Sequence, residues 1–107
     1  MIKQIGKTGQ VFFDKDMETR YTVLARDKYS CFLCNKGDAE VHEILPRSRF
    51  GLREVDVLFS LRNRVTLCRE HHTKAHTRKY RSMLLGLMKK RFAYDYSDEP
   101  FINYLEE

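Results

Sequence analysis

The three cysteines and four histidines of this chain all fall between Cys31 and His76, and both flanks lack them. Two residues separate Cys31 from Cys34, and two separate Cys68 from His71. That gap lets a tight turn aim both side chains at one ion, at ~2.0 to 2.3 Å. Three thiolates and one imidazole close a tetrahedral shell, the donor set of a structural zinc rather than of an open catalytic one. The ion would clamp the start of a strand region to the start of a helix and enclose residues 35–67. Cysteines that are merely buried are a fair reading of one such pair and a poor reading of two. Three cysteines also cannot all pair in disulfides.

A staple of this kind suits the size of the chain. With 107 residues, 42% of them hydrophobic, it has the length of one domain, covering 1–107. A chain so short buries only about two-thirds of its unfolded surface, so its core needs help. No run approaches the ~18 apolar residues of a membrane span, and Met-Ile-Lys-Gln-Ile-Gly-Lys lacks the apolar stretch of a signal peptide. A cytoplasmic location is expected.

Charge is concentrated where the ligands are. Residues 47–81 carry ten bases and three acids, a balance of +7, and residues 82–94 add +3. Residues 1–46 balance to zero, and residues 95–107 carry five acids and no base. A basic patch on and beside a metal centre attracts polyanions, above all phosphate backbones. On its own the patch would read as a solvated surface.

Periodicity places these residues on elements. Gly6 and Gly9 bracket a loose start, and Val11-Phe12-Phe13 suits a short strand. From about Asp16 to Lys28 the spacing of Met17, Tyr21, Leu24 and Ala25 predicts a helix, with Asp14 or Asp16 as N-cap. Asn35-Lys-Gly37-Asp reads as a turn, Ala39 to Leu45 as a strand stopped by Pro46, and Val55 to Phe59 as a helical turn. Arg64 to Leu67 is the second strand of a hairpin with a long loop. Helices are expected over 69–79 and 81–94, the latter with Leu84, Leu85, Leu87, Met88 and Phe92 on its apolar face. A short helix from Pro100 to Leu105 would end the acidic tail.

Inside the clamp lies a second constellation: His42 and Glu43 on the first strand, Asn63 before the second, then His72 and His76. A helix would put His72 and His76 one turn apart on one face, with His71 rotated ~100° toward the other metal. Two helix histidines and a strand residue make a three-ligand site with open positions, the arrangement of a hydrolytic metal. The plainer reading, histidines in solvent or at a helix end, fits a lone residue better than this group.

The run Cys-x2-Cys, Val-His-Glu-Ile-Leu-Pro, Asn-Arg-Val-Thr-Leu-Cys-x2-His-His-x3-His resembles the HNH endonuclease family over about residues 20–80. The resemblance implies an α+β fold: a small zinc-stabilised ββα-metal (HNH, His-Me finger) domain with flanking helices. It also implies metal-dependent hydrolysis of phosphodiester bonds in DNA, by nicking or double-strand cleavage. The cofactors would be Zn2+ at Cys31, Cys34, Cys68 and His71, and Mg2+, Mn2+ or another divalent ion at His42, His72 and His76. Catalytic roles fall on His42, Glu43, Asn63 and His72, with Asn63 bracing the loop and orienting the base.

Aligned on Pro46, His42 takes the ligand slot and Glu43 the slot usually held by a histidine base; the other alignment makes His42 the base. A neutral imidazole suits proton abstraction at pH 7 better than a carboxylate of pKa about 4.3. Adjacent strand residues should point to opposite faces. Flanking phosphates of double-stranded DNA would meet Arg47, Arg49, Arg53, Arg62, Arg64, Lys74, Arg78 and Lys79, contacts that position a duplex without reading it. Small free-standing members resemble phage-encoded or mobile-element proteins, which implies the host cytoplasm and a homodimer or a larger packaging or recombination machinery as partner. The competing reading is a zinc-stabilised nucleic-acid-binding or partner-recruiting module without hydrolysis.

Overall fold

β1 (Ala39–Glu43) and β2 (Arg64–Cys68) pair antiparallel, in register from Ala39 opposite Cys68 to Glu43 opposite Arg64. In the computed structural model, which describes residues 7–107 and their side chains from Asp16 onward, this two-stranded sheet carries helices around it, an α+β arrangement. The helices are α1 (Lys7–Arg26), α2 (Val55–Leu58), α3 (Arg69–Lys74), α4 (Arg78–Phe92) and α5 (Glu99–Glu106). Among the described residues, no helix is long and apolar enough to cross a membrane.

The long connection between the strands is not loose chain. It contains short 3-10 turns at Arg47–Arg49, Leu52–Glu54 and Leu61–Asn63, with α2 between them. Every residue of β2 is buried. Ile44, Leu45, Val65 and Leu67 from the hairpin region meet Leu84, Leu85 and Met88 of α4 and Phe101 and Tyr104 of α5 in one core. Pro100 lies in the first turn of α5, where its missing N–H costs nothing.

Three expectations are corrected. Val11-Phe12-Phe13 is helix, not strand: α1 begins at Lys7 and runs through it, so Gly9 is helical and neither Asp14 nor Asp16 caps its start. Gly6 lies outside the described residues. The face of α1 differs as well, because Val23 is fully buried whereas Tyr21 is 60% exposed. Asp16, Thr19, Val23 and Arg26 turn inward instead, and α1 docks largely through hydrogen bonds to Arg64 and the backbone of Leu61 and Arg64. Lastly, the helix expected over 69–79 is broken. Thr77 takes an extended conformation (φ −85°, ψ 152°), and its hydroxyl oxygen accepts from the Tyr80 amide to cap α4. α3 therefore ends at Lys74, and His76 lies just beyond it.

Candidate metal centre and adjoining histidine cavity

Two turns build the cysteine cluster. The chain leaves α1 through Lys28 and Tyr29, both at positive φ, and the Asp27 carboxylate accepts from Arg26 and from the Thr66 amide (2.9 Å). The Phe32 amide donates to the Thr66 carbonyl (2.8 Å), so the Cys31–Cys34 turn lies against β2. Cys68 ends β2, and His71 sits in the first turn of α3.

The sulfurs of Cys34 and Cys68 lie 3.7 Å apart, and His71 Nδ1 lies 3.3 Å from Cys68 Sγ and 3.6 Å from Cys31 Sγ. All four ligand atoms fall within 4.8 Å of one another, so the group can hold a metal ion. Donors at ~2.0 to 2.3 Å from one tetrahedral ion would stand about 3.6 to 3.8 Å apart, close to what is seen. The three thiols are free. Burial works against a Cys31 thiolate, yet the amides of Cys68, Cys34 and Leu33 aimed at its sulfur hold its pKa below the ordinary thiol value. The His71 amide does the same for Cys68, with burial opposing. Both shifts favour the ligating form.

Of the second constellation, His42, Glu43, His72 and His76 line a cavity of about 440 Å³, while Asn63 does not. His42 projects from β1, 7% exposed, toward His72 on α3 and His76 beyond it, with ring centroids 4.4 and 5.4 Å away. The rings of His72 and His76 are themselves 5.4 Å apart. His42 Nε2 is buried without a hydrogen-bond partner. Burial first, then the positive fields of His72, His76 and Arg81, lowers the His42 pKa to about 4, leaving its ring neutral at pH 7. Imidazole nitrogens are of a donor type that divalent transition-metal ions accept. Among the described residues, however, only the cysteine cluster brings its ligand atoms within 4.8 Å of one another; the three imidazoles are spaced more widely.

Glu43, like Val41 and His42, lines this cavity at the end of β1. Its Oε2 accepts from Arg64 Nη2 at 3.4 Å. Arg64 is only 2% exposed and also donates to the Asp16 carboxylate, the Asp16 carbonyl and the Thr19 hydroxyl. Burial pushes the Asp16 pKa up, but Arg64 and Arg20 outweigh it and bring it below the ordinary value. Asn63 is fully buried and braces the long connection. Its Oδ1 accepts from the Leu45 amide (2.9 Å), and its Nδ2 donates to the carbonyls of Leu45 and Leu58 (3.1 Å each). Both of its hydrogen-bonding ends thus reach backbone rather than His42.

The basic residues separate into groups. Arg49 and Arg78 pair with Glu107, and Arg62 pairs with Asp98, so the acidic tail lies on part of the basic surface. Lys74 pairs with Glu70, while Arg53 and Lys79 are exposed. Arg47 lines the cavity with its guanidinium 5.7 Å from the Phe59 ring centroid. Sequence reasoning missed Asp16, Arg20 and Arg81, which also line the cavity. It missed the Arg26–Asp27 latch too. No motif marks these residues; only the packing of α1 and α4 brings them in. Compared with known proteins, the chain matches no family model, no curated protein and no solved structure.

Proposed function

We propose that this chain is a metal-dependent phosphodiesterase of the HNH endonuclease type that nicks or cuts DNA, built as a ββα-metal domain and stapled by a structural zinc. The observation that carries the reading is the meeting of His42, His72 and His76 in one cavity, with His42 Nε2 buried and unpartnered. The order of hairpin, bracing asparagine and histidine-bearing helix supports it, as does the neighbouring cysteine cluster.

In this reading Cys31, Cys34, Cys68 and His71 hold Zn2+, and His42, His72 and His76 hold Mg2+, Mn2+ or a similar ion. That second ion, when bound, supplies Lewis acidity toward the charge developing on phosphate and leaving oxygen. His42, with its free nitrogen committed as a ligand, leaves Glu43 to accept the proton of the attacking water. Arg64 orients the Glu43 carboxylate from behind. A carboxylate is a weaker base than a neutral imidazole, so turnover is slow. Exposed Arg53, Lys74 and Lys79 lie beside flanking phosphates of the duplex.

The Glu43–Arg64 pair also favours a second reading, a DNA-binding module without hydrolysis. Incubating supercoiled plasmid with the purified protein and Mg2+, Mn2+ or Ni2+ separates the two. Nicking should fall at least ~100-fold in His72→Ala and His42→Ala, and in Glu43→Gln by the ~10²- to 10⁴-fold typical of a lost general base. Binding without nicking at every metal would sink the enzyme. Normal cutting by Glu43→Gln, with His42→Ala dead, would move the base to His42.

A further inference from the structure

The cations around the histidine cavity differ in what already occupies them. Arg20 and Arg64 both bond to Asp16, and Arg64 also to Glu43. Arg47 and Arg81 line the same cavity and have no carboxylate partner among the described residues. The Arg81 Nε is moreover buried with no hydrogen-bond partner. A buried donor left without an acceptor is costly, more so on a charged group, and an anion in the cavity would relieve it. The Arg47 guanidinium lies 5.7 Å from the Phe59 ring centroid, a contact that leaves its N–H donors uncommitted.

We propose that Arg47 and Arg81 form a phosphate seat in this cavity, receiving the non-bridging oxygens of a phosphodiester beside His42, His72 and His76. Two guanidiniums are suited to this because each presents a planar fork that matches a pair of phosphate oxygens. They come from the connection after β1 and from the first turn of α4, so the break at Thr77 is what brings the second one to the cavity. The identity of the ester rests on the phosphodiesterase reading; the seat rests on the unpartnered cations. Arg49, Arg62 and Arg78 have no place in it, because each already pairs with the tail.

The test uses the full chain loaded with zinc and no other divalent ion. Arginine Nε–H signals are followed by NMR while inorganic phosphate or a short DNA duplex is added. The signals of Arg47 and Arg81 should move, and at lower concentration with the duplex, while those of Arg49, Arg62 and Arg78 stay. Arg81→Ala and Arg47→Ala should each weaken duplex binding roughly tenfold to a hundredfold and reduce the salt slope by about 0.9. Arg81→Lys, which keeps the charge and the fold but not the fork, should fall between. Static signals in the wild type, or Arg81→Lys and Arg81→Ala binding as the wild type does, overturn the seat. A response to inorganic phosphate alone overturns its assignment to a phosphodiester. Wild type that binds through these two residues yet does not nick DNA with any metal added fails as a nuclease and keeps the seat. Wild type that nicks equally well as Arg81→Ala keeps the nuclease and loses the seat.

Discussion

Removing the Asn63 side chain would strand the Leu45 amide and the carbonyls of Leu45 and Leu58, three backbone groups at the centre of the protein. Burying unsatisfied polar groups costs about 1 to 3 kcal/mol each, with partial relaxation. Asn63→Ala should therefore lose about 3 kcal/mol in urea unfolding, and a loss under about 0.5 kcal/mol would show that the brace is dispensable. The family resemblance implied this brace in advance, together with a role in orienting the base that its hydrogen bonds to the backbone of Leu45 and Leu58 do not serve. The commitment of Arg64 was not legible in advance. Charge counting puts it with the phosphate contacts, but its neighbour in the β1 register is Glu43, and α1 adds Asp16 from 48 residues away. Partners that distant leave no local trace, so burial rather than composition decides which cations are committed.

At the scale of elements, α4 ends on Ala93, a left-handed residue with φ 57° whose amide donates to the Lys89 carbonyl. A Cβ in that conformation is strained, and glycine is the usual occupant of such a position. Ala93 is exposed, so trimming its methyl group forfeits little burial. Ala93→Gly should raise stability by about 1 kcal/mol, seen as a higher denaturant midpoint at unchanged slope; a lower midpoint would count against the strained cap. The hairpin and α4 were readable because most of their apolar residues repeat with the right period and meet a single core, although Leu87, expected on that face, is exposed. The helix face of α1 was not, since that helix docks by Asp16, Thr19 and Arg26 more than by grease, and an apolar pattern is silent about hydrogen bonds. The break at Thr77 was visible in principle: a threonine three residues before an amide it can cap is a helix-start signal, here masked by the continuous polar run around it.

For the whole molecule the decisive joint is the cysteine cluster, because it ties the turn after α1 to the junction of β2 and α3. Both strands and the long connection lie between its two halves. The core it supports is small, and Cys31 and Cys68 are themselves part of that core. With no ion to share, the sulfurs of Cys34 and Cys68, 3.7 Å apart beside His71, would repel as thiolates and loosen the turn at 31–34 from β2. The consequence reaches the cavity, since His71 and His72 are adjacent: freeing one lets α3 turn and carries the other away from His42. If the cluster holds zinc and the proposed activity is right, a chelator should lower the unfolding temperature and abolish duplex binding and nicking together, as binding to the folded state alone requires. The check is one bound zinc per chain by elemental analysis, a tetrahedral thiolate spectrum on replacement with Co2+, and loss of both in Cys68→Ser. His72→Ala supplies the contrast: it should keep the zinc, the Co2+ spectrum and the melting temperature while losing nicking. A protein that arrives without metal and melts identically in chelator would make the cluster a group of buried thiols, and the staple would have to be sought in the packing of α4 and α5.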